Sequence, residues 1–307
     1  MRYASTLQTT WDWRAAVNFM LGGCGSALLL ITACIDGTSA AWLSAILLGA
    51  GLMGGGLTAV WFEIGRPWRA ANVVLKPQNS WMTREAYVAT LAFILVGASV
   101  LFRWSWLALP TGMAGLAFLY CQARILHASK GVPAWREAAL QPLIIATGLI
   151  EGGALLVLIQ TFVSQDSKAL SLTLIALLPL RLVAWSWYRK QLLAADPPKA
   201  VAAALPSLGS HFVLLGHLLP LALMAVGWFS SLLNLPATAA AALLVLLTGW
   251  HFKLILVTQL ARVQGYGLGT LKRGHPLSLA GHTLVSEASI RLRKTREAKS
   301  NELRRTR

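Results

Sequence analysis

The sequence predicts an all-α polytopic membrane protein, a bundle of about eight transmembrane helices. Three observations lead there. The 307-residue chain is 56% hydrophobic and only 12% charged, too little polar surface to coat a soluble globule. Apolar runs of roughly 20 residues recur along it, the length a helix needs to cross about 30 Å of hydrocarbon at 1.5 Å per residue. These runs lack alternating polarity and are too long for tilted strands, which excludes a closed barrel.

Eight such runs are found, at about 14–35, 40–62, 84–102, 105–126, 141–164, 169–193, 210–231 and 236–261. The first is too long for a signal-peptide core, and neither a small-x-small cleavage site nor a twin-arginine signal accompanies it, so it is read as a retained span. The second contains Gly51, Gly54, Gly55 and Gly56. These admit close helix packing, the commoner use of small residues in spans, or a helix broken at a transport site. No repeat relates the two halves of the chain, which favours packing. Only Arg103-Trp104 separates the third run from the fourth. The eight runs make a transmembrane domain, 1–265, followed by a basic tail, 266–307.

Charge sets the expected orientation. Connections after the second, fourth and sixth runs hold Arg66, Arg69, Lys76 and Arg84, then Arg124, Lys130 and Arg136, then Arg189, Lys190 and Lys199, whereas the opposite ones hold Arg103 and Lys168. The positive-inside rule puts the basic connections and both termini in the cytoplasm. Residues 270–307 agree, with ten Lys/Arg against Glu287, Glu297 and Glu302. The net charge of +16 is therefore a property of one face, suited to anionic lipid or an acidic protein partner. Nucleic acid is not expected, since no binding motif is present. Of the thirteen tryptophans, Trp11, Trp13, Trp61, Trp68, Trp81, Trp104, Trp106 and Trp135 fall near helix ends, where an amphipathic ring suits the headgroup zone. Cys24, Cys34 and Cys121 have no ligand spacing and are read as packing residues, with no metal site.

One charged stretch interrupts this pattern: residues 61–87, WFEIGRPWRAANVVLKPQNSWMTREAY. Glu63 closes the second run and Glu85 opens the third. Taken singly, Glu85 suits a helix N-terminus through the dipole and Glu63 can pair with Arg66 or Arg69. Taken whole, Gly65-Arg66-Pro67-Trp68-Arg69-Ala70 followed by Ser80-Trp81-Met82-Thr83-Arg84-Glu85 resembles the signature of the membrane-anchor subunits of the dimethyl sulfoxide reductase family. Tyr120-x-x-Ala123-Arg124 leading to Val132-Pro133-Ala134-Trp135 is similar to a second element of that family.

The resemblance implies a quinone-reactive subunit, for menaquinone or ubiquinone, in a bacterial inner membrane. It implies a four-cluster iron–sulfur subunit and a molybdopterin catalytic subunit as partners, which carry the clusters and the molybdopterin, and no haem. Glu85 matches a glutamate implicated in quinol binding, and Glu63 stands where the family has a histidine. Gly65, Arg66, Pro67, Trp68, Arg69 and Trp81 would complete the cofactor-binding segment, with Arg66, Arg69, Arg84 and Arg136 toward the docked iron–sulfur subunit. With the partners on the cytoplasmic side, the substrate would be a cytoplasmic metabolite, such as a coenzyme A ester, or a sulfoxide. The chemistry asks for a hydrogen-bond acceptor at the edge of an apolar slot with a route to water, and a carboxylate there accepts or returns a proton near neutrality.

Further polar residues lie inside the runs: Glu151, Arg181, and His251 with Lys253. Ionisable side chains in hydrocarbon must face protein or water. An internal Glu–Arg or Glu–Lys pair that fixes packing is the plainer expectation, and a proton path or quinone pocket is the other. His211, His217 and His251 could supply one pair of haem ligands on facing helices, although core or interfacial hydrogen bonding is the simpler role. From a different function class, a secondary transporter or channel with a basic cytoplasmic face remains the alternative.

Overall fold

The computed structural model describes residues 5–35, 37, 39–63, 78, 80–103, 105–163 and 168–264, all within one compact unit, 4–265. Gly65, Arg66, Pro67, Trp68 and Arg69, and with them the expected cofactor-binding loop, lie outside the described residues, as does the tail 266–307. The helices in order are α1 (Trp13–Thr32), α2 (Ala40–Glu63), α3 (Trp81–Phe102), α4 (Ala108–Ala128), the short α5 (Pro133–Arg136), α6 (Leu140–Val163), α7 (Lys168–Ala194), α8 (Lys199–Phe229) and α9 (Ser231–Thr258). Six of them, α1, α2, α3, α6, α8 and α9, are long and apolar enough to cross a membrane. The chain is an all-α membrane protein. Helices α4 and α7 are 21 and 27 residues long but carry Arg124 and His127, and Lys168, Arg181, Arg189 and Lys190, respectively. Both are long enough to cross.

Helix ends follow local chemistry. The Asp12 carboxylate accepts from Arg14 N at 2.7 Å and caps α1, Ser80 Oγ accepts from Thr83 N at 3.3 Å and caps α3, and Ser230 Oγ accepts from Leu233 N and caps α9, each satisfying a backbone donor that a helix start leaves unpaired. Arg103 terminates α3 in the left-handed region, with φ 55°, which settles the weakest of the expected boundaries. The largest difference from the sequence reading is at α8, which begins at Lys199 and not near 210, running straight through Pro206. Val201, Leu205, Leu208 and Phe212 are all buried there, a helical stripe whose packing outweighs the hydrogen bond lost at proline.

Helix α1 is central, packing on α2, α4 and α6, while α6 also packs on α7 and α9, and α8 on α9. The glycine-rich part of α2 is unbroken helix, and Gly56 lies so close to Asn18 and Gly22 of α1 that a Cβ would not fit. Close packing, as in other small-residue membrane contacts, is thus what that glycine does. Two helices contain π-helical turns, Asn18–Gly22 in α1 and Leu214–Leu218 in α8. A short ribbon that the sequence did not suggest joins β1 (Ser5–Leu7) antiparallel to β2 (Arg262–Gln264), with Thr6 opposite Val263. It ties the start of the chain to the end of α9.

The tryptophans divide. Trp13, Trp61 and Trp106 are exposed, as anchors at a bilayer surface would be, but Trp135 is only 3% exposed. Its indole stacks on Trp11 at 5.0 Å and its Nε1 donates to Leu256 O at 2.9 Å. The Pro133-Ala134-Trp135 turn is therefore an internal fastening, reinforced by Tyr188 OH donating to Ala134 O at 2.9 Å.

Candidate functional site

Glu85 sits on the second turn of α3, and although it is four residues from the helix start it is only 5% exposed. The Ser80 cap starts α3 in a register that buries Thr83, Glu85 and Ala89 together against the bundle. Asn18 Nδ2 donates to Glu85 Oε1 at 3.3 Å, and the side chain of Gln122 on α4 lies close to the carboxylate. Gln122 Nε2 donates in turn to Asn18 O at 2.9 Å. That carbonyl lies in the π-helical turn of α1, where the altered ladder frees backbone groups for side-chain partners. Among the described residues the carboxylate is bonded to a neutral amide donor and to no cation, which leaves it able to take a proton without breaking an ion pair.

Glu63, at the last turn of α2, is half-buried and accepts from Asp12 N at 3.0 Å. Arg14 braces the same corner, donating to Phe62 O at 2.6 Å and pairing with Asp12 at 2.7 Å. Both glutamates are thus bonded to the first part of α1, Glu63 at its rim and Glu85 at Asn18, roughly 9 Å further along at 1.5 Å per residue. They share one end of the bundle and differ in depth.

Trp81 opens α3 beside them. The guanidinium carbons of Arg84 and Arg124 lie 4.2 and 4.7 Å from its ring centroid, and Tyr120 meets it edge-on at 5.8 Å. Two cations against one indole is a strong cation–π arrangement, and it makes Trp81 a junction between α3 and α4 as well as a rim residue. Arg124 reaches on to Gln141 Oε1 at 3.2 Å, and Arg84 to Gln78 O at 2.7 Å. Arg136 is half-exposed beside Glu137, 3.7 Å away.

Deeper in the bundle, Lys253 Nζ donates to Glu151 Oε2 at 2.5 Å, both side chains essentially unexposed. The expected internal Glu–Lys pair exists. Arg181 is not its partner. It donates through Nε to His217 Nε2 at 3.2 Å, through Nη1 to Val245 O at 3.4 Å and through Nη2 to Gly216 O, and stacks on Phe212 at 4.9 Å. Because arginine only donates, His217 Nε2 is the acceptor and its proton sits on Nδ1, bonded to Phe212 O at 2.9 Å. Both nitrogens of His217 are hydrogen-bonded. His211 and His251 instead line one lateral cavity of about 510 Å³ with Phe212, Leu244 and Thr248.

Asn18 and Gln122 are the site residues that sequence reasoning missed. Their signal was present: each is the one amide side chain of its run, costly unless it meets a partner in the interior. Compared with known proteins, the chain matches no protein-family model and no curated protein sequence.

Proposed function

We propose that the chain is the quinone-reactive membrane anchor of a multi-subunit molybdopterin oxidoreductase, exchanging electrons between the quinone pool and an iron–sulfur subunit docked on its basic face. The observation that carries this reading is Glu85: a carboxylate buried just inside one end of the bundle, hydrogen-bonded to Asn18 with Gln122 beside it, and adjoining the Trp81–Arg84–Arg124 cluster. It lies where the motif resembling that of the dimethyl sulfoxide reductase anchors leads into α3. Eight crossings, with α4 and α7 completing the set, and cytoplasmic termini in a bacterial inner membrane belong to the same proposal, as do Gly65, Arg66, Pro67, Trp68 and Arg69 as the loop that closes the site.

The residues fit the chemistry asked of them. A quinol gives up two electrons and two protons when oxidised. Glu85 accepts a proton from a hydroxyl, Asn18 and Gln122 fix the carboxylate's orientation, and Trp81 supplies an apolar wall at the bilayer edge. Glu63, half-buried at the rim, returns protons to water. Electrons leave toward the partner's nearest cluster, and the molybdenum subunit, not this chain, selects the terminal substrate, a coenzyme A ester or a sulfoxide among the candidates.

The test is Glu85→Gln, which keeps the shape and removes the proton acceptor. Losing one interaction of this kind costs about 1–3 kcal/mol, or roughly five- to 150-fold. Electron transfer from a quinol analogue should fall by that factor, while activity with a dye that reaches the catalytic subunits directly stays unchanged. Equal loss in both assays, or no loss in either, would remove Glu85 from the reaction.

A further inference from the structure

The interior polar groups form a file. Glu85, Asn18 and Gln122 occupy the end of the bundle where α1 and α3 begin and α4 ends; Lys253 lies five residues before the end of α9, and Glu151 eleven residues into α6. At 1.5 Å per residue Glu151 is roughly 16 Å from the start of its helix, near the middle of a bilayer core. Gly23 of α1 joins the two halves. Gln122 Oε1 and Lys253 Nζ each lie 2.9 Å from the point that a Cβ on Gly23 would occupy. They do not bond each other directly, yet both face the space beside the same glycine.

Along this file the polar atoms outnumber their partners. Asn18 Oδ1, Gln122 Oε1, Thr147 Oγ1 and Glu151 Oε1 are buried without a hydrogen-bond partner among the described residues. Thr147 stands one helical turn from Glu151 on the same face of α6, on the side toward Gln122. The Lys253 ammonium has three donors and makes one described bond, to Glu151. Unpaired acceptors and spare donors in one buried column are what water molecules bridge, each needing two to four polar partners. Beyond Glu151 the column ends. Ile150, Ala154 and Val157 of α6 pack with Leu174 and Leu178 of α7, and Leu156 with Leu28 and Ala45; Trp42 Nε1 and Thr111 Oγ1, also buried without a described partner, lie at the opposite end of the bundle, and this apolar layer lies between them and Glu151.

We propose that Asn18, Gln122, Thr147 and the Glu151–Lys253 pair hold a one-sided chain of water molecules that carries protons between Glu85 and the centre of the bilayer. Among the described residues, the charged groups facing Glu151 are Lys253 from α9 and, at longer range, Arg181 from α7, with the Cys24 thiol of α1 nearby; the titratable group beside Glu85 is the Cys121 thiol, which also lies within range of Arg84. The amides orient water and the carboxylates exchange the proton. A proton arriving at Glu151 neutralises the carboxylate and frees Lys253 to turn toward Gln122 Oε1; its departure restores the pair. The chain gives this protein a second proton-holding group, closed to the opposite face. The proposal does not depend on what delivers a proton to Glu85.

The test uses the full-length chain in lipid nanodiscs, with no quinone and no partner subunit. Lys253→Ala leaves Glu151 as a neutral carboxyl whose infrared band is identified by its loss in Glu151→Gln/Lys253→Ala. On transfer to deuterated water that band should shift within the dead time of a rapid-exchange cell. Adding Gln122→Leu and Thr147→Val should slow the shift at least ten-fold. Equal exchange rates with and without the two apolar replacements, or no exchange in either, would overturn the proposal. Independently, an experimental density map of the unmutated chain should show ordered water on Gln122 Oε1 and Glu151 Oε1; direct apolar packing against those atoms would overturn it even if the variants failed to fold.

Discussion

Lys253 and Glu151 show how a single residue inside a membrane protein constrains its neighbours. Gly249 lies one turn before Lys253 on α9, and a Cβ there would collide with Glu151 Oε1; glycine at this point lets the carboxylate reach across to its cation. Removing one member of a buried pair leaves the other uncompensated and typically costs about 3–5 kcal/mol, whereas replacing both with apolar residues of similar volume is often near neutral. Lys253→Met alone should therefore lower the thermal midpoint of the detergent-solubilised chain well below that of Glu151→Leu/Lys253→Met. A double variant no more stable than the single would mean that the ion pair contributes nothing specific to packing. Glu151 and Lys253 stood out in the sequence because charge is rare in apolar runs, but sequence could not say that Lys253, and not Arg181, is the partner. That choice depends on how α6, α7 and α9 rotate against one another. Glu85 was legible from its motif; its amide partners were not, because Asn18 and Gln122 come from helices 67 residues before and 37 residues after it in the chain.

Helices were read from the sequence with ends good to a few residues wherever an apolar run and the helix coincide, as in α2 and α6. Misplacement came where they do not. The start of α8 is an amphipathic helix whose polar side hides it from a search for continuous apolar residues, and Pro206 reinforces the wrong boundary. The two π-helical turns leave no comparable trace in composition, yet one holds Asn18 and the other His217, the residues through which buried polar networks enter α1 and α8. The Pro133-Ala134-Trp135 turn was assigned to the headgroup zone because tryptophan near a helix end usually belongs there; contacts from α7 and α9 draw it inside instead. Those contacts are testable. Tyr188→Phe removes the donor to Ala134 O and Trp135→Phe the donor to Leu256 O, each leaving a buried carbonyl unpaired at a cost of about 1–3 kcal/mol. Both variants should unfold earlier than the parent, and if each loss is independent the double variant should show their sum. Midpoints unchanged in both would mean that water replaces these donors and that the turn is not a fastening.

How many times the chain crosses the bilayer turns on α4 and α7, the two long helices outside the apolar set. Helix α4 packs on α1, α3 and α6, and α7 on α6. Their charged residues do not face lipid at random. Arg181 is wholly buried and bonded to α8 and α9, while Arg124, His127, Arg189 and Lys190 fall within the last two turns of their helices, where long side chains reach the interface. Both helices are long enough at 1.5 Å per residue to cross about 30 Å, so the energetic objection to their spanning is answered by packing. Eight crossings put the α4–α5 turn at Lys130 on the same face as both termini and Arg103 on the opposite face; without α4 as a span, Lys130 and Arg103 would share a face. Single cysteines introduced at Arg103 and Lys130, in a chain lacking Cys34, should therefore react with a membrane-impermeant maleimide from opposite sides of sealed, inside-out and right-side-out vesicles. The Lys130→Cys variant should label from the cytoplasmic side, together with a cysteine placed at the chain's end. Labelling of both positions from one side would remove α4 from the set, leaving at most seven crossings, and would place Gln122 outside the hydrocarbon, ending the case for an interior water chain, while labelling from opposite sides in the reverse sense would keep the bundle and invert it, moving the basic face and any docked subunits to the periplasm.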